Sequence, residues 1–270
     1  MKRTAPPAGD LGLHSLEELR LRVADLGPRQ ELRWLRALRR DDRSGARALA
    51  RELERRRVAR MAELRRLARL FRLRRGLFRA GCRHVAGVDE VGVGPMAGPL
   101  VAAAVILPPK VFLPGLDDSK RLTAAAREKL DAEIRRQALA VAIAEIPPDE
   151  VDRIDVLRAS WLAMRKALDG LAVRPDHVLV DAHKLADLAM PHTSLPKGDA
   201  RDGSIAAASI VAKVHRDALM RRLDERYPGY GFARHMGYCT REHRRALAAL
   251  GPCDMHRRSF APVAQLTLFS

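Results

Sequence analysis

Cysteine is scarce in this chain of 270 residues: Cys82, Cys239 and Cys253 are the whole complement. They are scattered and form no C-x-x-C pair, which excludes a disulfide framework and argues against a structural zinc site. Three reduced thiols in a cytoplasmic protein are expected. Aromatic residues make up only 4%, and the first third has just Trp34, Phe71 and Phe78, which offers little base-stacking platform there. No apolar run approaches the roughly 18 residues of a membrane span. The segment Met1 to Asp10 has no apolar stretch behind its basic pair and does not read as a secretory signal. Acids are in deficit too, 33 against 50 Lys+Arg, for a formal net charge of +17. What is present is a hydrophobic fraction of 47%, enough for a packed core and incompatible with a wholly disordered chain.

The charge is unevenly placed. Residues 1–83 hold 24 Lys+Arg and 10 Asp+Glu, a surplus of 14, and residues 84–270 carry a surplus of only 3. Such a cationic segment suits phosphate binding, which is driven by cations that displace counterions. It reads as helical. Ser15 and Glu18 have the spacing of a capping box, Gly27-Pro28 breaks the first helix, and a second is expected from Arg29 to Arg40. A long uninterrupted helix is expected from Arg47 to Leu73, with Leu64, Leu67, Leu70 and Leu73 as its apolar stripe. A helical hairpin that packs its leucines and solvates its arginines fits this pattern, and so does an arm that grips a duplex by its backbone.

From His84 the texture changes. Strands are expected at His84–Asp89, Pro99–Leu107, Leu139–Ile146 and His177–Asp181, and helices at Thr123–Gln137, Pro148–Leu168, Ile205–Arg226 and Arg241–Leu250. Strands alternating with helices indicate an α/β layered domain. Acids cluster at strand ends: Asp89 and Glu90 close the first strand, Asp181 closes the fourth, and Asp199 lies in a loop ahead of the Ile205 helix. In so basic a protein a carboxylate cluster needs a reason. Four carboxylates and two divalent cations, about −4 and about +4, would make a neutral site that grips a phosphodiester. Such a metal pair can activate water and stabilise the leaving oxygen. Adjacent strand residues face opposite ways. Asp89 and Glu90 can therefore share one site only where the strand ends or bends, and Gly92 and Gly94 follow at once. On spacing alone, two exposed loop acids fit equally well.

The segment Gly87-Val-Asp89-Glu90-Val-Gly92-Val-Gly94-Pro-Met-Ala-Gly98-Pro99 resembles the signature of the type 2 ribonucleases H, the ribonuclease HII family. Six further blocks resemble that family in order: Leu116–Lys120, Val178–Asp181, Lys197–Asp199, Ile205–Asp217, the pair Tyr227–Phe232 and Gly237–Thr240, and His256–Phe260. The resemblance implies a ribonuclease H-like fold, a mixed sheet flanked by helices. It implies metal-dependent endonucleolytic hydrolysis of RNA paired with DNA, or of ribonucleotides embedded in duplex DNA, leaving 3′-hydroxyl and 5′-phosphate ends. By the same match Asp89, Glu90, Asp181 and Asp199 hold two Mg²⁺ or Mn²⁺ ions. Gly92, Val93 and Gly94 approach the ribose, Tyr238 stacks on the sugar at the junction, and Lys120, Lys197 and Lys213 are candidate phosphate contacts.

One departure stands out. The family usually has Gly-Arg-Gly where this chain has Gly92-Val93-Gly94. The missing guanidinium would cost about 1.5–3 kcal/mol of any charged contact it made to phosphate or sugar. Met236 also stands where the family often has Lys. The organisation expected is a basic helical extension over residues 1–83, a catalytic domain over 84–263 and a tail over 264–270. In that tail Gln265, Leu266, Leu268 and Phe269 resemble the short peptide with which bacterial replication and repair proteins bind the sliding clamp. A monomer is expected. His183, His192, His235 and His243 are read as surface or packing residues, since metal-activated water needs no histidine base. The competing reading is a non-catalytic basic RNA- or DNA-binding accessory protein. The four acids argue against it, because a pure phosphate binder gains nothing from clustering them.

Overall fold

The computed structural model describes residues 11–181, 188 and 190–267. They form two compact units, Met1–Arg66 and Leu67–Ser270. The first unit is helical: α1 (Leu16–Ala24), α2 (Pro28–Arg40) and most of α3 (Ser44–Leu70). Ser15 and Glu18 form the capping box foreseen, with the Glu18 amide donating to Ser15 Oγ at 3.2 Å and the Ser15 amide to Glu18 Oε2 at 2.9 Å. Pro28 opens α2, where its missing N–H costs nothing. Leu19, Trp34, Leu38 and Leu53 close a separate small core. Beside it the buried Glu31 carboxylate is clamped by both Nη atoms of Arg60.

The long helix ends earlier than its sequence pattern suggests. It stops at Leu70, and after Phe71 a further helix, α4 (Arg72–Arg79), begins. The leucine stripe also divides. Leu67 is buried and Leu70 half-buried, whereas Leu64 and Leu73 are exposed. A strict three-residue spacing falls about 60° short of a full turn at each step, so four such residues spread over half the helix circumference. Residues 67–83, grouped by charge with the extension, pack inside the second unit. Leu67 and Phe71 join one of its cores, and Leu77, Phe78 and Cys82 another.

The second unit is built on a five-stranded mixed sheet of order β3-β2-β1-β4-β5. The strands are β1 (Val85–Val91), β2 (Leu100–Ile106), β3 (Ala140–Ile146), β4 (His177–Val180) and β5 (His192–Ser194). β1 pairs antiparallel with β2 and parallel with β4. Val85 to Val88 and all of β2 are buried, as expected of strands covered on both faces. One core lies between the sheet and α7 (Val156–Asp169), and the other lies under α5 (Ala124–Gln137) and α8 (Gly203–Arg226). The helix expected over Pro148–Leu168 is two, α6 (Pro148–Ile154) and α7. Asp155 separates them at φ 71°, and its carboxylate caps α7 by accepting from the Leu157 and Arg158 amides. β5 and the short helices α9 (Phe232–His235) and α11 (Ala261–Thr267) were not evident in the sequence pattern; α10 (Arg241–Leu250) was. Among the described residues no helix is long and apolar enough to cross a membrane.

Candidate active site

The register of the parallel pair places the acids. Val88 of β1 lies opposite Val180 of β4, so Asp89 and Asp181, each the next residue, come side by side at the carboxyl ends of neighbouring strands. The Asp181 amide donates to Val88 O at 3.2 Å. Ligands of α/β sheets settle at such carboxyl ends. A left-handed turn at Lys197 (φ 56°) then brings the segment 198–200 inward. There the Gly198 amide donates to Asp181 Oδ1 at 2.9 Å. Asp199 follows, only 3% exposed. One carboxylate oxygen from each of Asp89, Asp181 and Asp199 lies within 4.8 Å of the others.

Glu90 takes a different face. Both Asp89 and Glu90 lie inside β1, which runs on to Val91 rather than ending at the acids. Ser209 of α8 stands close enough to Asp89, and Ser160 of α7 on the opposite side of the sheet close enough to Glu90, for each hydroxyl to favour the charged carboxylate. Glu90 remains close enough to Asp181 to feel its charge. Burial, with Glu90 and Asp181 alongside, pushes the Asp89 carboxyl well above the usual range. Burial and Asp181 push Glu90 up to about 7. Burial also raises Asp199, although Lys120 Nζ stands 3.2 Å from its Oδ2 and opposes the shift. Packed carboxylates of one sign are costly without a cation. The donor set is oxygen only, which suits a hard divalent ion. Among the described residues Glu90 Oε2, which is buried, has no hydrogen-bond partner, as an atom kept for an ion would be.

The loop after β1 is held from beneath by two arginines. Arg257 donates to the carbonyls of Gly92, Val93 and Gly98, and Arg216 to those of Ala97, Pro99 and Met236. Both side chains are fully buried, and burial pulls both down to about 10. Five of these six carbonyls lie in the segment 92–99, so the guanidinium groups hold the loop along its length. Gly92 adopts φ 95°, and a Cβ there would stand 2.4 Å from Arg216 Nε. The Met96 amide donates to Gly237 O at 3.0 Å, tying the loop to the turn that carries Tyr238. A Cβ on Gly94 would lie 3.8 Å from the Tyr238 ring. Val93 and Tyr238 are exposed, at 38% and 45%.

The sequence-selected residues therefore fall into groups. Gly92, Val93, Gly94 and Tyr238 belong to one loop-and-turn assembly. Asp89, Asp181, Asp199 and Lys120 form another, with Glu90 across the sheet. Lys197 is exposed at the turn before Asp199. Lys213 is ion-paired with Asp217 at 2.6 Å, further along the helix that bears Ser209. Gln265 is exposed and lies within α11, where Pro262 takes an early position that a helix tolerates. The side chain of Leu266, and Leu268 and Phe269 altogether, lie outside the described residues, as does His183.

A family model, Ribonuclease HII, matches residues 86–263. The chain belongs to the ribonuclease HII family. A ribonuclease HII from Geobacillus thermodenitrificans is 47% identical over 252 residues, 93% of this chain and 96% of that one. That alignment is too long to omit most of the N-terminal unit. The crystal structure of ribonuclease H2 from Pyrococcus horikoshii is similar with a TM-score of 0.61 and 25% identity, covering 69% of this chain and 98% of that one. A structure of the PCNA:RNase HII complex from Archaeoglobus fulgidus is similar with a TM-score of 0.55 and 26% identity, covering 64% and 92%. As a member of that family, the chain is a ribonuclease H endonuclease, a phosphodiester hydrolase dependent on divalent metal.

Sequence reading had given no role to Ser160, Ser209, Arg216 or Arg257. Ser209, Arg216 and Arg257 sit in family blocks, but a serine or arginine has no recognisable partner until the chain is folded. Arg216 stands among Lys213, His215 and Asp217, so the sequence does not set it apart from a solvated charge.

Proposed function

We propose that this endonuclease cuts the RNA strand of RNA–DNA hybrids and duplex DNA at embedded ribonucleotides, leaving 3′-hydroxyl and 5′-phosphate ends, and so serves ribonucleotide removal in the cytoplasm. The observation that carries the reading is the meeting of Asp89, Asp181 and Asp199 within 4.8 Å, in a unit whose neighbouring loop and Tyr238 offer a site for sugar. In this reading Asp89, Glu90, Asp181 and Asp199 hold two divalent ions, Mg²⁺ or Mn²⁺. When bound, such ions neutralise the phosphodiester and make a nucleophile of water near neutral pH. The protein's own part is to hold the ligands still. Gly198 N–H fixes Asp181, the Ser209 hydroxyl favours the charged form of Asp89, and Lys120 is paired with Asp199 while its side chain is 80% exposed to solvent.

The rigid 92–98 loop brings main chain up to the ribose, where the 2′-hydroxyl separates RNA from DNA. Tyr238 supplies a stacking face that tolerates any base. Lys197 and Lys213 flank the site as cations for the strand. The N-terminal unit adds electrostatic grip, and Gln265, Leu266, Leu268 and Phe269 are the segment offered to a sliding clamp. The solved PCNA:RNase HII complex from Archaeoglobus fulgidus supports that last assignment by analogy.

The test is cleavage of two labelled duplexes in Mg²⁺ or Mn²⁺, one carrying a single ribonucleotide and one a continuous RNA–DNA hybrid, with Asp181→Asn as control. Cleavage by the parent and not by Asp181→Asn is expected. Binding of both duplexes with no cleavage of either would instead favour the accessory-protein reading.

A further inference from the structure

Three buried histidines lie under Tyr238, and the catalytic reading leaves them without a task. His235, His243 and His256 are each less than a tenth exposed. Their rings are neighbours, with centroids 4.2 Å apart for His235–His243 and 5.2 Å for His243–His256. Each ring nitrogen has a partner, and those partners fix the protons. His235 Nε2 lies 2.9 Å from the Tyr230 carbonyl, which can only accept, so Nε2 carries hydrogen. His235 Nδ1 accepts from the Gly237 amide at 3.2 Å, so it is bare. His256 Nδ1 accepts from the Cys253 amide at 3.1 Å and is also bare, with the Cys253 thiol 3.2 Å away. The hydrogen of His256 is then on Nε2, 3.1 Å from His243 Nε2, which must accept it. His243 therefore carries its hydrogen on Nδ1 and donates it to the Tyr238 carbonyl at 3.0 Å.

These assignments close without conflict only if all three imidazoles are neutral. A second proton on any of them would set two N–H groups facing each other. Burial agrees, holding His243 and His256 down to about 4. The far end of the chain is the peptide that presents Tyr238. Its amide donates to His235 O at 2.9 Å, and its carbonyl also accepts from the Thr240 amide at 2.8 Å. Phe232 stands edge-on to both His235 and His243 and closes the apolar side. The main chain of Tyr238 is thus tied down at both polar groups while its ring stays exposed.

We infer that His256 and His243 form a hydrogen-bonded relay of neutral imidazoles with fixed tautomers, that His235 is stacked on it in a fixed tautomer of its own, and that His243 and His235 are positioning residues that hold Tyr238 for the ribonucleotide junction. The inference rests on the reading of Tyr238 as the junction-stacking residue.

Two measurements test it. In two-bond ¹H–¹⁵N spectra of the full chain, His243 should report the Nδ1–H tautomer, and His235 and His256 the Nε2–H tautomer. Any other pattern overturns the relay. In cleavage of the single-ribonucleotide duplex, His243→Phe should lower kcat/KM about tenfold, the size of one lost neutral hydrogen bond. His243→Asn, whose amide can reach the same carbonyl, should recover most of that loss. Because His243 acts through Tyr238, His243→Phe should cost nothing further in a Tyr238→Ala background; an additive loss means general damage and overturns the positioning role. If Tyr238→Ala is impaired and folded His243→Phe is not, the tyrosine reading stands and the inference falls. If Tyr238→Ala cleaves like the parent, the tyrosine reading falls and takes the positioning role with it, while the spectra still decide the tautomers.

Discussion

At the scale of single residues, the site is governed by acids held where they do not favour ionising. Glu90, pushed up to about 7 by burial and Asp181, retains a proton near neutrality, whereas a metal ligand must give it up. Metal binding should therefore release protons. As pH falls through about 7, the metal must compete with the proton on Glu90, and apparent affinity should drop by up to about tenfold per pH unit for each proton displaced. Calorimetric titration with Mg²⁺ or Mn²⁺ in two buffers of different ionisation enthalpy will show it; buffer-independent heats at neutral pH would refute it. Ser209 is the second residue-scale lever. Its hydroxyl favours the charged form of Asp89 and lies 2.9 Å from Ser119 Oγ, so Ser209→Ala should weaken metal affinity or activity about 10–100-fold. A metal titration of the variant checks this, and an unchanged midpoint would relieve Ser209 of that role. Val93 is the third. Arg257 already satisfies its carbonyl, and its side chain is exposed, so Val93→Arg can be accommodated without disturbing the loop. It should raise the preference for a single embedded ribonucleotide over a continuous hybrid. Competition between the two duplexes would reveal this, and an unaltered ratio would mean that the side chain there does not read the junction.

At the scale of elements, legibility followed local chemistry. The capping box at Ser15, the apolar run of β2 and the strand before Asp181 were readable because each depends on near neighbours in sequence. Glu90 shows where that stops. Alternation along a strand said that Asp89 and Glu90 face opposite ways, and the structure keeps them so, one towards α8 and the other towards α7. The identity of the four acids came from resemblance. Their meeting depends on the β1–β4 register, which no local pattern encodes. The end of α3 at Leu70 was hidden for a similar reason. The residues from Leu67 to Phe78 look like arm because they are rich in arginine, yet their apolar side chains belong to the catalytic unit. Phe71 is 6% exposed and lies against Gly203, where an added Cβ would stand 2.2 Å from the ring. Phe71→Ala should therefore destabilise this unit by about 3–5 kcal/mol. A denaturant midpoint within error of the parent's would show that the α4 segment is not part of the core.

At the scale of the whole molecule, the compact-unit boundary changes how the extension must be tested. Deleting residues 1–83 removes the cationic segment, but it also strips Leu67, Phe71, Leu77 and Phe78 from the second unit's cores. Loss of activity would then report unfolding rather than lost grip. Deleting residues 1–66 respects the boundary between Arg66 and Leu67. It removes 18 Lys+Arg and 10 Asp+Glu, and it leaves Arg69, Arg72, Arg75, Arg79 and Arg83 exposed on the catalytic unit. Phosphate contacts set the salt dependence of nucleic-acid binding, each contributing about 0.9 to the slope of log K against log salt on duplex DNA. If the first unit grips the duplex, the shortened chain should keep its cleavage chemistry, show a higher KM and have a shallower but still finite slope, because the α4 arginines remain. The 1–83 deletion should instead show a lowered unfolding midpoint. A shortened chain with the parent's KM and the parent's slope would mean that the cationic surplus of the first unit is turned away from substrate and serves another partner.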